Sequence, residues 1–592
     1  MKNAASFVLL FALCSAAIPA VMAVDPAVIP VTPPAPKFTI AERHAELAKR
    51  RAAVAAKMED KSVLVMFSAE PKLYTNDVDY VYRQENNLYY LTGLKQDGAT
   101  LVITKDGTNI TETLFVPKRV PMREAWEGRM YSTEDVTRLS GIKTIVDSAD
   151  RDKYLEALKG KKDWTSTEGK ASIMSNPATV YLLLPMSAQD KDGAREFRQE
   201  ADFSTGFDTS VKNAQPIFAE LRHIKSPYEI KMLQHAIDIT GEAHMRSMAV
   251  VGRAEWEYQV HAEVEYTFRR RNADSWGYPS IVGCGANATT LHYVESQSPV
   301  TKGQLLLLDV GAEYEHYTAD VTRTFPVNGK FSKEQAEIYQ IVYDAQEAVA
   351  KATKPGVTFG QLNMIARNKI AEGLFKLGLI NDFKPATTPE EELTPRSRQV
   401  GIWFIHGLGH WLGMNVHDVG NYGSPDKPAP LKAGMVYTNE PGIYIREDAL
   451  DNLPKTPELT AFKEKVRPVY EKYKNIGVRI EDDMLVTETG VTWMTGKIPR
   501  SIADIEAFMA KASKEVPYTA SNIDPSGRLT SHSTAHRVVD LPVLLGDTGW
   551  RRVIDRRGRF IHTAINWRSA GACPPSGLRL VDSAALRNQC NQ

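Results

Sequence analysis

The sequence predicts an N-terminal α/β unit followed by an α+β domain, and three observations favour this fold class. The chain has 592 residues, more than a single hydrophobic core usually serves. Between residues 38 and 215, short apolar runs alternate with helical stretches, as in α/β units. Beyond residue 222, helices with strong start signals are followed by strand-like segments in the pattern of an α+β domain.

The first unit is assigned to residues 38–215. Ala41–Met58 is expected to form a helix, and the apolar run Lys61–Phe67 is expected to form a buried strand. Three further runs have strand character, which completes the α/β alternation: 87–91, 99–103 and 113–116.

The second domain is assigned to residues 222–510, after a boundary near 216–227. Its first helix has a clear start signal, because Ser226 can cap the helix, Pro227 fits the first turn and Glu229 completes a capping box. Ser332 and Gln335 repeat that signal before another helix. The strand-like segments predict one long curved sheet: 304–310, 321–327, 443–445, 478–481 and 484–487.

Residues 1–23 have the pattern of a secretory signal peptide, with Lys2, the apolar run Phe7–Leu13 and small residues at the cleavage positions up to Ala23. A buried helix or a membrane anchor is the alternative, but the run is short for a bilayer. We therefore expect an exported protein, periplasmic or secreted, without membrane anchoring in the mature form. Residues 24–37 contain five prolines and predict an extended Pro-rich linker.

Charge and cysteine content narrow the range of partners. Lys+Arg and Asp+Glu each number 72, so net charge gives no reason to expect a nucleic acid or an anionic membrane. Cys14 falls in the signal segment, which leaves Cys284, Cys573 and Cys590. An odd count argues against a disulfide framework, although Cys573 and Cys590 could close one loop.

Two segments stand apart from the domain pattern. Residues 449–475 form a charged, proline-containing insertion and are expected to be a surface excursion. Residues 512–592 lack clear periodicity and are assigned as a C-terminal tail of unknown role. The arginine cluster at 551–559 indicates a solvated appendage. A nucleic-acid patch is the alternative, but no aromatic platform accompanies the arginines.

Five potential metal ligands are spread over the second half of the chain, each in or beside an apolar strand-like segment. They are Asp309, Asp320, His410, Glu440 and Glu481. A buried carboxylate needs a cation or strong hydrogen bonds. Four carboxylates and one imidazole could hold two divalent metal ions, whose four positive charges would balance four negative ones. A carboxylate-rich site suits Mn²⁺, with Co²⁺ or Zn²⁺ as alternatives.

Each of these signals also has an ordinary explanation. Asp309 and Asp320 are eleven residues apart, which suits two adjacent antiparallel strands but also two turn aspartates. His406 and His410 have the spacing of a helical zinc motif, yet the glycines between them disfavour a helix and no Glu follows the first histidine. The charged residues at 479–481 could belong to a surface salt-bridge strand.

Considered together, the five residues indicate amide hydrolysis. Two close metals can share a bridging water, lower its pKa and polarise a substrate carbonyl. The chain contains no Gly-x-Ser-x-Gly elbow, no phosphate-binding Gly-x4-Gly-Lys-Ser/Thr loop and no dinucleotide Gly-x-Gly-x-x-Gly fingerprint.

Several segments, in this order and spacing, resemble the pita-bread metallopeptidases, and specifically aminopeptidase P, the Xaa-Pro aminopeptidases. The similarity covers about residues 38 to 510. The segments that carry it are Ser280–Tyr293, Leu306–Gly311, Tyr317–Phe325, His406–Asp418, Asn439–Tyr444 and Gly477–Asp483, together with Tyr82–Gly93 in the first unit.

The resemblance implies roles for the candidate metal ligands. Asp309 would bind one metal and His410 the other, whereas Asp320 and Glu481 would bridge both. Glu440 would be a ligand and would help to shuttle a proton from the bridging water.

The resemblance also implies a set of catalytic residues that includes Glu440. His292 and His417 match family histidines near the substrate carbonyl and the scissile amide. His406 and Arg479 match residues that orient the ligands, and such outer groups tune a metal site.

The fold implied by the resemblance is a C-terminal pita-bread catalytic domain with an N-terminal α/β accessory domain. Its substrates would be peptides with proline at the second position, and the protein would form a homo-oligomer, a dimer or a tetramer. Prolidase shares the ligands but cleaves only dipeptides, and it is the nearest alternative. A non-catalytic pita-bread binding protein and metal-free creatinase-like hydrolysis are disfavoured, because all five ligand types are present.

Overall fold

The computed structural model of the protein describes residues 28–174, 176–187, 189–392, 399–424, 426–516, 550–554 and 560–564. The predicted signal segment at 1–23, residues 24–27 of the predicted linker, and both Cys573 and Cys590 lie outside the described residues. Contacts between residues divide the chain into two units, Met1–Asn522 and Ile523–Gln592.

The helices of the described residues are α1 (Ile40–Lys57), α2 (Asn86–Thr92), α3 (Pro121–Glu127), α4 (Thr133–Ser140), α5 (Arg151–Lys159), α6 (Lys191–Glu196), α7 (Arg198–Ser204), α8 (Gln215–His223), α9 (Pro227–Val250), α10 (Glu257–Arg270), α11 (Lys333–Ala352), α12 (Phe359–Leu377), α13 (Pro389–Glu392), α14 (Pro457–Tyr473) and α15 (Ile502–Glu515). Short 3₁₀ turns occur at Ser148–Asp150, Val251–Arg253 and Gly285–Thr289.

The strands are β1 (Ser62–Phe67), β2 (Leu73–Thr75), β3 (Val78–Asp79), β4 (Thr100–Asp106), β5 (Asn109–Val116), β6 (Thr144–Asp147), β7 (Thr179–Leu182), β8 (Ser210–Asn213), β9 (Ser275–Trp276), β10 (Ile281–Cys284), β11 (Leu305–Val310), β12 (Ala312–Tyr314), β13 (Tyr317–Thr318), β14 (Val321–Pro326), β15 (Gly423–Ser424), β16 (Lys427–Pro428), β17 (Val436–Asn439), β18 (Gly442–Ile445), β19 (Ile476–Arg479), β20 (Asp482–Val486), β21 (Val491–Trp493), β22 (Trp550–Ile554) and β23 (Phe560–Ala564).

The N-terminal part is built on one mixed six-stranded sheet with the strand order β6-β5-β4-β1-β7-β8. The central pairs β1–β4 and β4–β5 are antiparallel, whereas β5–β6, β1–β7 and β7–β8 are parallel. All six residues of β1 are buried, as its continuous apolar sequence predicts for a central strand. Helices connect the parallel strands, which confirms the α/β character of this part.

The segment 87–91 was expected to be a strand, and that prediction is wrong. It lies in helix α2, because the Glu85 side chain accepts hydrogen bonds from the backbone N–H groups of Asn87 (2.9 Å) and Leu88 (2.7 Å). Gly93 ends the helix in a left-handed conformation with φ 64°. A short apolar run is compatible with either element, and here the capping residues decide.

The predicted helix starts in the second part are confirmed. Ser226 and Glu229 form a capping box at the start of α9, and Ser332 and Gln335 form one at the start of α11. These helices pack with α10 and α12 around the largest hydrophobic core, which also contains the apolar residues of β11 and β14.

The strands of the second part do not form the single long sheet that was expected. They form short sheets, β10-β11-β14, β13-β12-β9, β17-β20-β21 and β18-β19. Between β14 and β19, a side chain replaces the backbone ladder: the Thr324 hydroxyl donates to the Arg479 carbonyl (2.9 Å) and accepts from the Arg479 N–H (3.2 Å). The two strands therefore meet through this side chain and belong to separate sheets.

The segment 449–475 is a docked helix rather than a surface excursion. Thr456 caps helix α14, and four of its residues are buried against the main core: Phe462, Val466, Tyr470 and Tyr473. Their spacing places them on one helical face. Three prolines and many charges obscured this pattern in the sequence.

Residues 28–39 of the linker and helix α15 both lie against α9. Residues 28–39 contain no helix or strand, and Thr32 donates from its backbone N–H (2.8 Å) and its hydroxyl (2.7 Å) to Glu242 of α9. Helix α15 continues across the predicted boundary at 510–512 and buries Ile505 and Met509.

In the second unit, β22 and β23 pair antiparallel. No helix of the described residues is long and apolar enough to cross a membrane.

Candidate metal centre

One cavity of about 620 Å³ lies among the strands of the second part. It is lined by all nine residues that were predicted for the site: His292, Asp309, Asp320, His406, His410, His417, Glu440, Arg479 and Glu481. The structure therefore gathers side chains that are up to 189 positions apart, since the first and last of them are residues 292 and 481.

Strand register places the two aspartates side by side. Asp309 lies near the end of β11, and Asp320 immediately precedes β14, which pairs antiparallel with β11. The chain between them forms the β12–β13 hairpin. A side chain at Gly311 would meet the Ala319 carbonyl oxygen at 1.9 Å, so only glycine allows the two carboxylate-bearing strands to close at this point.

His410 is held by β17 on a segment that is not helical. Its backbone N–H donates to the Thr438 hydroxyl (3.0 Å), and its carbonyl accepts from the Thr438 N–H (2.9 Å). A side chain at Gly409 would meet the Thr438 carbonyl oxygen at 1.9 Å, which explains the glycine. The His410 Nδ1 atom lies 3.1 Å from the Trp411 carbonyl. A carbonyl only accepts, so Nδ1 carries hydrogen and Nε2 faces the acids.

The remaining ligand candidates approach His410 closely. Its Nε2 atom lies 3.3 Å from Asp320 Oδ2 and 3.3 Å from Glu440 Oε1. One possible donor atom each from Asp320, His410 and Glu481 lies within 4.8 Å of the others. Glu481 also accepts from the Thr322 hydroxyl at 2.6 Å. These distances are compatible with donor atoms that share a metal ion.

The acids are strongly perturbed by burial. Burial raises the pKa of Asp309, although the Arg479 guanidinium opposes this. Burial and the neighbouring Asp320 carboxylate raise the pKa of Glu440 to about 7, against the effect of His410, and the pKa of Glu481 is raised well above its usual value.

The cavity has fewer cationic side chains than acidic ones. Burial lowers the pKa of His410, but the hydrogen bond and charge of Asp320, with the charge of Glu440, raise it to about 9. Arg479 forms a buried ion pair with Asp309. Two cationic side chains thus face four acidic side chains, of which Glu440 is half-buried and the other three are buried. This donor set fits divalent cations, which prefer carboxylate oxygens with a histidine nitrogen.

A shared tyrosine joins His406 to Arg479, and each of the two lies beside one ligand candidate. Tyr444 OH lies 2.8 Å from His406 Nε2 and accepts a hydrogen bond from Arg479 Nη1 at 2.9 Å. His406 Nδ1 lies 3.7 Å from Glu440 Oε2. Burial and the Arg479 charge lower the pKa of His406 to about 3, so its imidazole is neutral.

His417 and His292 have exposed side chains on the cavity wall. The His417 ring meets the His410 ring edge to face, with 4.2 Å between the ring centres. The two histidines are therefore the predicted site residues most accessible to a bound molecule.

Reasoning from the sequence missed two tyrosines. Tyr278 OH lies 2.6 Å from both Asp309 Oδ1 and Asp320 Oδ1, and Tyr444 joins His406 to Arg479. Tyr444 lies two residues beyond the Glu440–Gly442 turn, a position that could have marked it. Tyr278 has no comparable signal, because an aromatic residue before an apolar strand is typical of a core.

Comparisons with known proteins identify the family of the chain. Residues 231–488 match Metallopeptidase family M24, and residues 47–165 match Aminopeptidase P, N-terminal domain. Xaa-Pro aminopeptidase of Haemophilus influenzae is 35% identical over 464 residues, covering 78% of this chain and 97% of that protein. Xaa-Pro aminopeptidase of Escherichia coli is 33% identical over 475 residues, covering 79% and 98%.

A solved structure supports the same assignment. Escherichia coli aminopeptidase P with the inhibitor Pro-Leu matches with a TM-score of 0.66 and 31% identity, and the match covers 81% of this chain and all of that chain (100%). The mixed helix-and-strand second part is thus the expected pita-bread domain, preceded by the expected accessory domain. The chain belongs to metallopeptidase family M24 and, within it, to aminopeptidase P, and it is a metal-dependent aminopeptidase.

Proposed function

We propose that this protein hydrolyses the first peptide bond of substrates whose second residue is proline, with two divalent metal ions at the cavity. The observation that carries the proposal is the convergence of four carboxylates and one imidazole in a single cavity. The names of the two bacterial relatives, Xaa-Pro aminopeptidase, support the substrate class.

The chain offers ligands for both ions. Asp309 and His410 would each serve one ion, Asp320 and Glu481 would bridge them, and Glu440 would complete the set. Mn²⁺ suits this oxygen-rich set best, with Co²⁺ or Zn²⁺ as alternatives. Two bound ions would lower the pKa of a shared water and polarise the substrate carbonyl.

The other cavity residues would bind and orient the substrate. The exposed rings of His292 and His417 can donate hydrogen bonds to the carbonyl oxygen and to the scissile amide. Arg479 pairs with Asp309 Oδ2 and the Tyr278 hydroxyl contacts Oδ1, so these two groups would orient the carboxylate toward a metal. Tyr444 contacts both His406 and Arg479 and so would help to orient the guanidinium beside Asp309.

The apolar wall beside the two histidines suits a proline ring. Leu291, Val294 and Val416 line the cavity there. A ring buried against them gains hydrophobic free energy without an unsatisfied N–H, since the imide nitrogen of proline carries none. The inhibitor Pro-Leu in the Escherichia coli structure supports a site for proline in this fold.

A comparison of two substrates tests the proposed specificity. The purified protein, loaded with Mn²⁺, is assayed with a Xaa-Pro-Yaa tripeptide and with a Xaa-Pro dipeptide. We expect rapid release of the first residue from the tripeptide. Cleavage of the dipeptide alone would identify a prolidase, and a metal-loaded protein inert to both would identify a binding protein. Elemental analysis of protein purified without added metal identifies the ion.

We also propose that the protein forms a homo-oligomer, a dimer or a tetramer. The β2–β3 hairpin and the residues after it expose several large apolar side chains in one stretch of the accessory domain: Leu73, Tyr74, Val78, Tyr80 and Val81. Contiguous apolar surface of this kind is typical of an interface. Light scattering is expected to give a mass of two or four chains, and a V81K substitution is expected to lower it. A monomeric wild-type protein would contradict the proposal.

We propose export on the basis of the N-terminal segment at 1–23. Cell fractionation is expected to place the protein in the periplasm or the medium, with a mature N-terminus close to residue 24. A full-length protein retained in the cytoplasm would contradict this.

A further inference from the structure

The segment that carries His292 has little regular structure of its own. It connects β10 to β11 and contains one 3₁₀ turn at Gly285–Thr289. From residue 290 to residue 300, all of which the structure describes, it contains no helix or strand. The His292 side chain is exposed within the cavity. The position of the imidazole therefore depends on the side-chain contacts that hold this segment, including the packing of Leu291 and Tyr293 against an apolar cluster.

Both ends are held by a single side chain, Glu257 at the first position of α10. Its Oε1 atom accepts from the Cys284 N–H (2.7 Å) and from Asn287 Nδ2 (3.0 Å), which precede His292. Its Oε2 atom accepts from the Tyr293 hydroxyl (2.8 Å) and from the Ser298 N–H (2.9 Å), which follow it. Each carboxylate oxygen thus holds one end of the segment.

The setting of Glu257 satisfies its hydrogen-bonding capacity. The side chain is fully buried, so its two oxygens need hydrogen-bond donors. Four donors from one segment supply them, and the start of the 14-residue helix α10 adds a favourable dipole. The backbone repeats the contact, because the Glu257 N–H donates to the Ser298 carbonyl at 3.0 Å.

We propose that Glu257 is a positioning residue for catalysis, which fixes the His292 segment so that the imidazole faces the metal centre. The inference rests on the proposed function for the role of His292. Glu257 does not line the cavity, so it acts through the segment rather than on the substrate.

Replacing Glu257 by glutamine keeps the side-chain volume but removes the hydrogen bonds at one end of the segment. A glutamine side chain has one accepting oxygen, and its NH₂ group, which only donates, would face the donors at that end. That end is released, and displacements of about 1 Å in a catalytic group can cost roughly 100-fold in rate. Y293F is a milder change. It removes one donor and leaves the ring against the apolar cluster of Ile281 and Leu307.

A double-mutant cycle tests the proposal. The kcat and KM for a Xaa-Pro-Yaa tripeptide are measured with saturating Mn²⁺ for the wild type, E257Q, H292A and E257Q/H292A. We expect E257Q to lower kcat/KM about 10- to 100-fold. We expect no further loss when E257Q is added to H292A, because the histidine that Glu257 positions is already absent. Metal content is expected to equal that of the wild type.

The matched control is E242Q. Glu242 is another buried glutamate that accepts side-chain and backbone hydrogen bonds, but it does not line the cavity. E242Q is expected to lower thermal stability without changing kcat/KM. Equal losses from E257Q with and without His292, or a wild-type rate for E257Q, would overturn the proposal.

Two further outcomes are separable from these. If E257Q does not fold, the same cycle is run with Y293F, for which we expect a smaller loss that also disappears in the H292A background. An additive loss there would overturn the proposal. A metal-loaded wild-type protein that leaves the tripeptide intact would instead overturn the proposed function. An H292A variant with full activity would overturn the role given to His292.

Discussion

At the scale of single residues, Asp320 has the most demanding position in the cavity. Its Oδ1 atom contacts the Tyr278 hydroxyl, its Oδ2 atom faces His410 Nε2 at 3.3 Å, and its backbone N–H donates to Asp483 at 3.2 Å. Both carboxylate oxygens are therefore engaged at the centre of the ligand set. This position is compatible with the bridging role proposed for Asp320, for which both oxygens are needed.

We predict that D320N and E481Q each reduce kcat/KM by more than about 100-fold, because even residues that only orient a metal ligand are worth 10- to 100-fold. An amide offers one neutral oxygen where the bridge needs two charged ones. Kinetics with saturating Mn²⁺ and elemental analysis are the measurements. The control is D274N, because Asp274 pairs with Lys95 at 2.8 Å and lies outside the cavity lining. Near-normal turnover of a fully metallated D320N would contradict the assignment.

A buried acid in the accessory domain gives a prediction that is independent of the metals. Burial, followed by the nearby Glu85 carboxylate, raises the pKa of Glu200 to about 8, against an opposing backbone hydrogen bond. Because its folded-state pKa is raised above the unfolded value, the folded state binds the proton more tightly. This contribution to stability is present at low pH and is lost as the pH rises toward 8.

We therefore predict that E200Q increases the free energy of unfolding relative to wild type at about pH 8 by more than about 1 kcal/mol, and has a small effect at about pH 5. Denaturant unfolding at both pH values is the measurement. E242Q should instead lower the free energy of unfolding at both pH values. Against the effect of burial, Arg271 and Thr32 lower the pKa of Glu242, so its ionised form stabilises the fold at both. Equal effects of E200Q at both pH values would contradict the prediction.

At the scale of helices and strands, local signals and long-range contacts were predictable to different degrees. The capping boxes at Ser226 and Ser332 lie within four residues, so the sequence revealed both helix starts. Helix α2 was missed, because Glu85 is not a usual cap residue and the apolar run resembles a strand. Where β14 meets β19, the Thr324 hydroxyl contacts Arg479, which is 155 residues away, and no local pattern reveals such a contact.

The same difference between local signals and long-range contacts explains which site residues could be predicted. The five ligand candidates were recognisable because carboxylates inside apolar segments are costly and therefore conspicuous. Tyr278 and Glu257 were not, because a tyrosine is ordinary in a core and a glutamate is ordinary at the start of a helix. Their roles depend on partners that only the fold brings near.

A buried ion-pair network joins two elements to the His417 segment. Arg222 of α8 donates to Asp418 Oδ1 at 2.6 Å, and Lys225 donates to Asp418 Oδ2 at 3.2 Å. Arg222 also donates to Asn87 of α2 at 2.7 Å. Asp418 follows His417 directly, so this network connects the accessory domain to the histidine on the cavity wall.

We predict that D418N destabilises the protein by about 3–5 kcal/mol, because it leaves two buried cations without their carboxylate. Activity should also fall below the level expected from the folded fraction, since the His417 segment loses its anchor. Thermal unfolding and kcat/KM are measured together. E220Q is the control, because it removes an exposed partner of Lys57 and such pairs are worth at most about 1 kcal/mol. Unchanged stability of D418N would contradict the network's role.

At the scale of the whole molecule, the metal ions and the fold should stabilise each other. The candidate ligands come from β11, β14, β17 and β19 or from the residues beside them, so the site joins most of the short sheets of the catalytic domain. Without cations, burial and the neighbouring acids destabilise the carboxylates in the folded state, as the raised pKa values of Glu440 and Glu481 indicate. Ions that bind only the folded chain reverse this effect and add their binding free energy to its stability.

We predict that removal of metal by a chelator lowers the unfolding temperature and that added Mn²⁺ restores it. An ion present at 100 times its Kd adds about 2.7 kcal/mol to the free energy of unfolding, and two ions add more. Calorimetry with increasing Mn²⁺ is the measurement, and D320N is the internal control, since it should unfold at a temperature nearly independent of Mn²⁺. The V81K variant separates this effect from assembly, because its substitution lies in the accessory domain, outside the cavity lining. If neither the chelator nor Mn²⁺ changes the unfolding temperature of the wild type, the carboxylates lie close together without binding a cation.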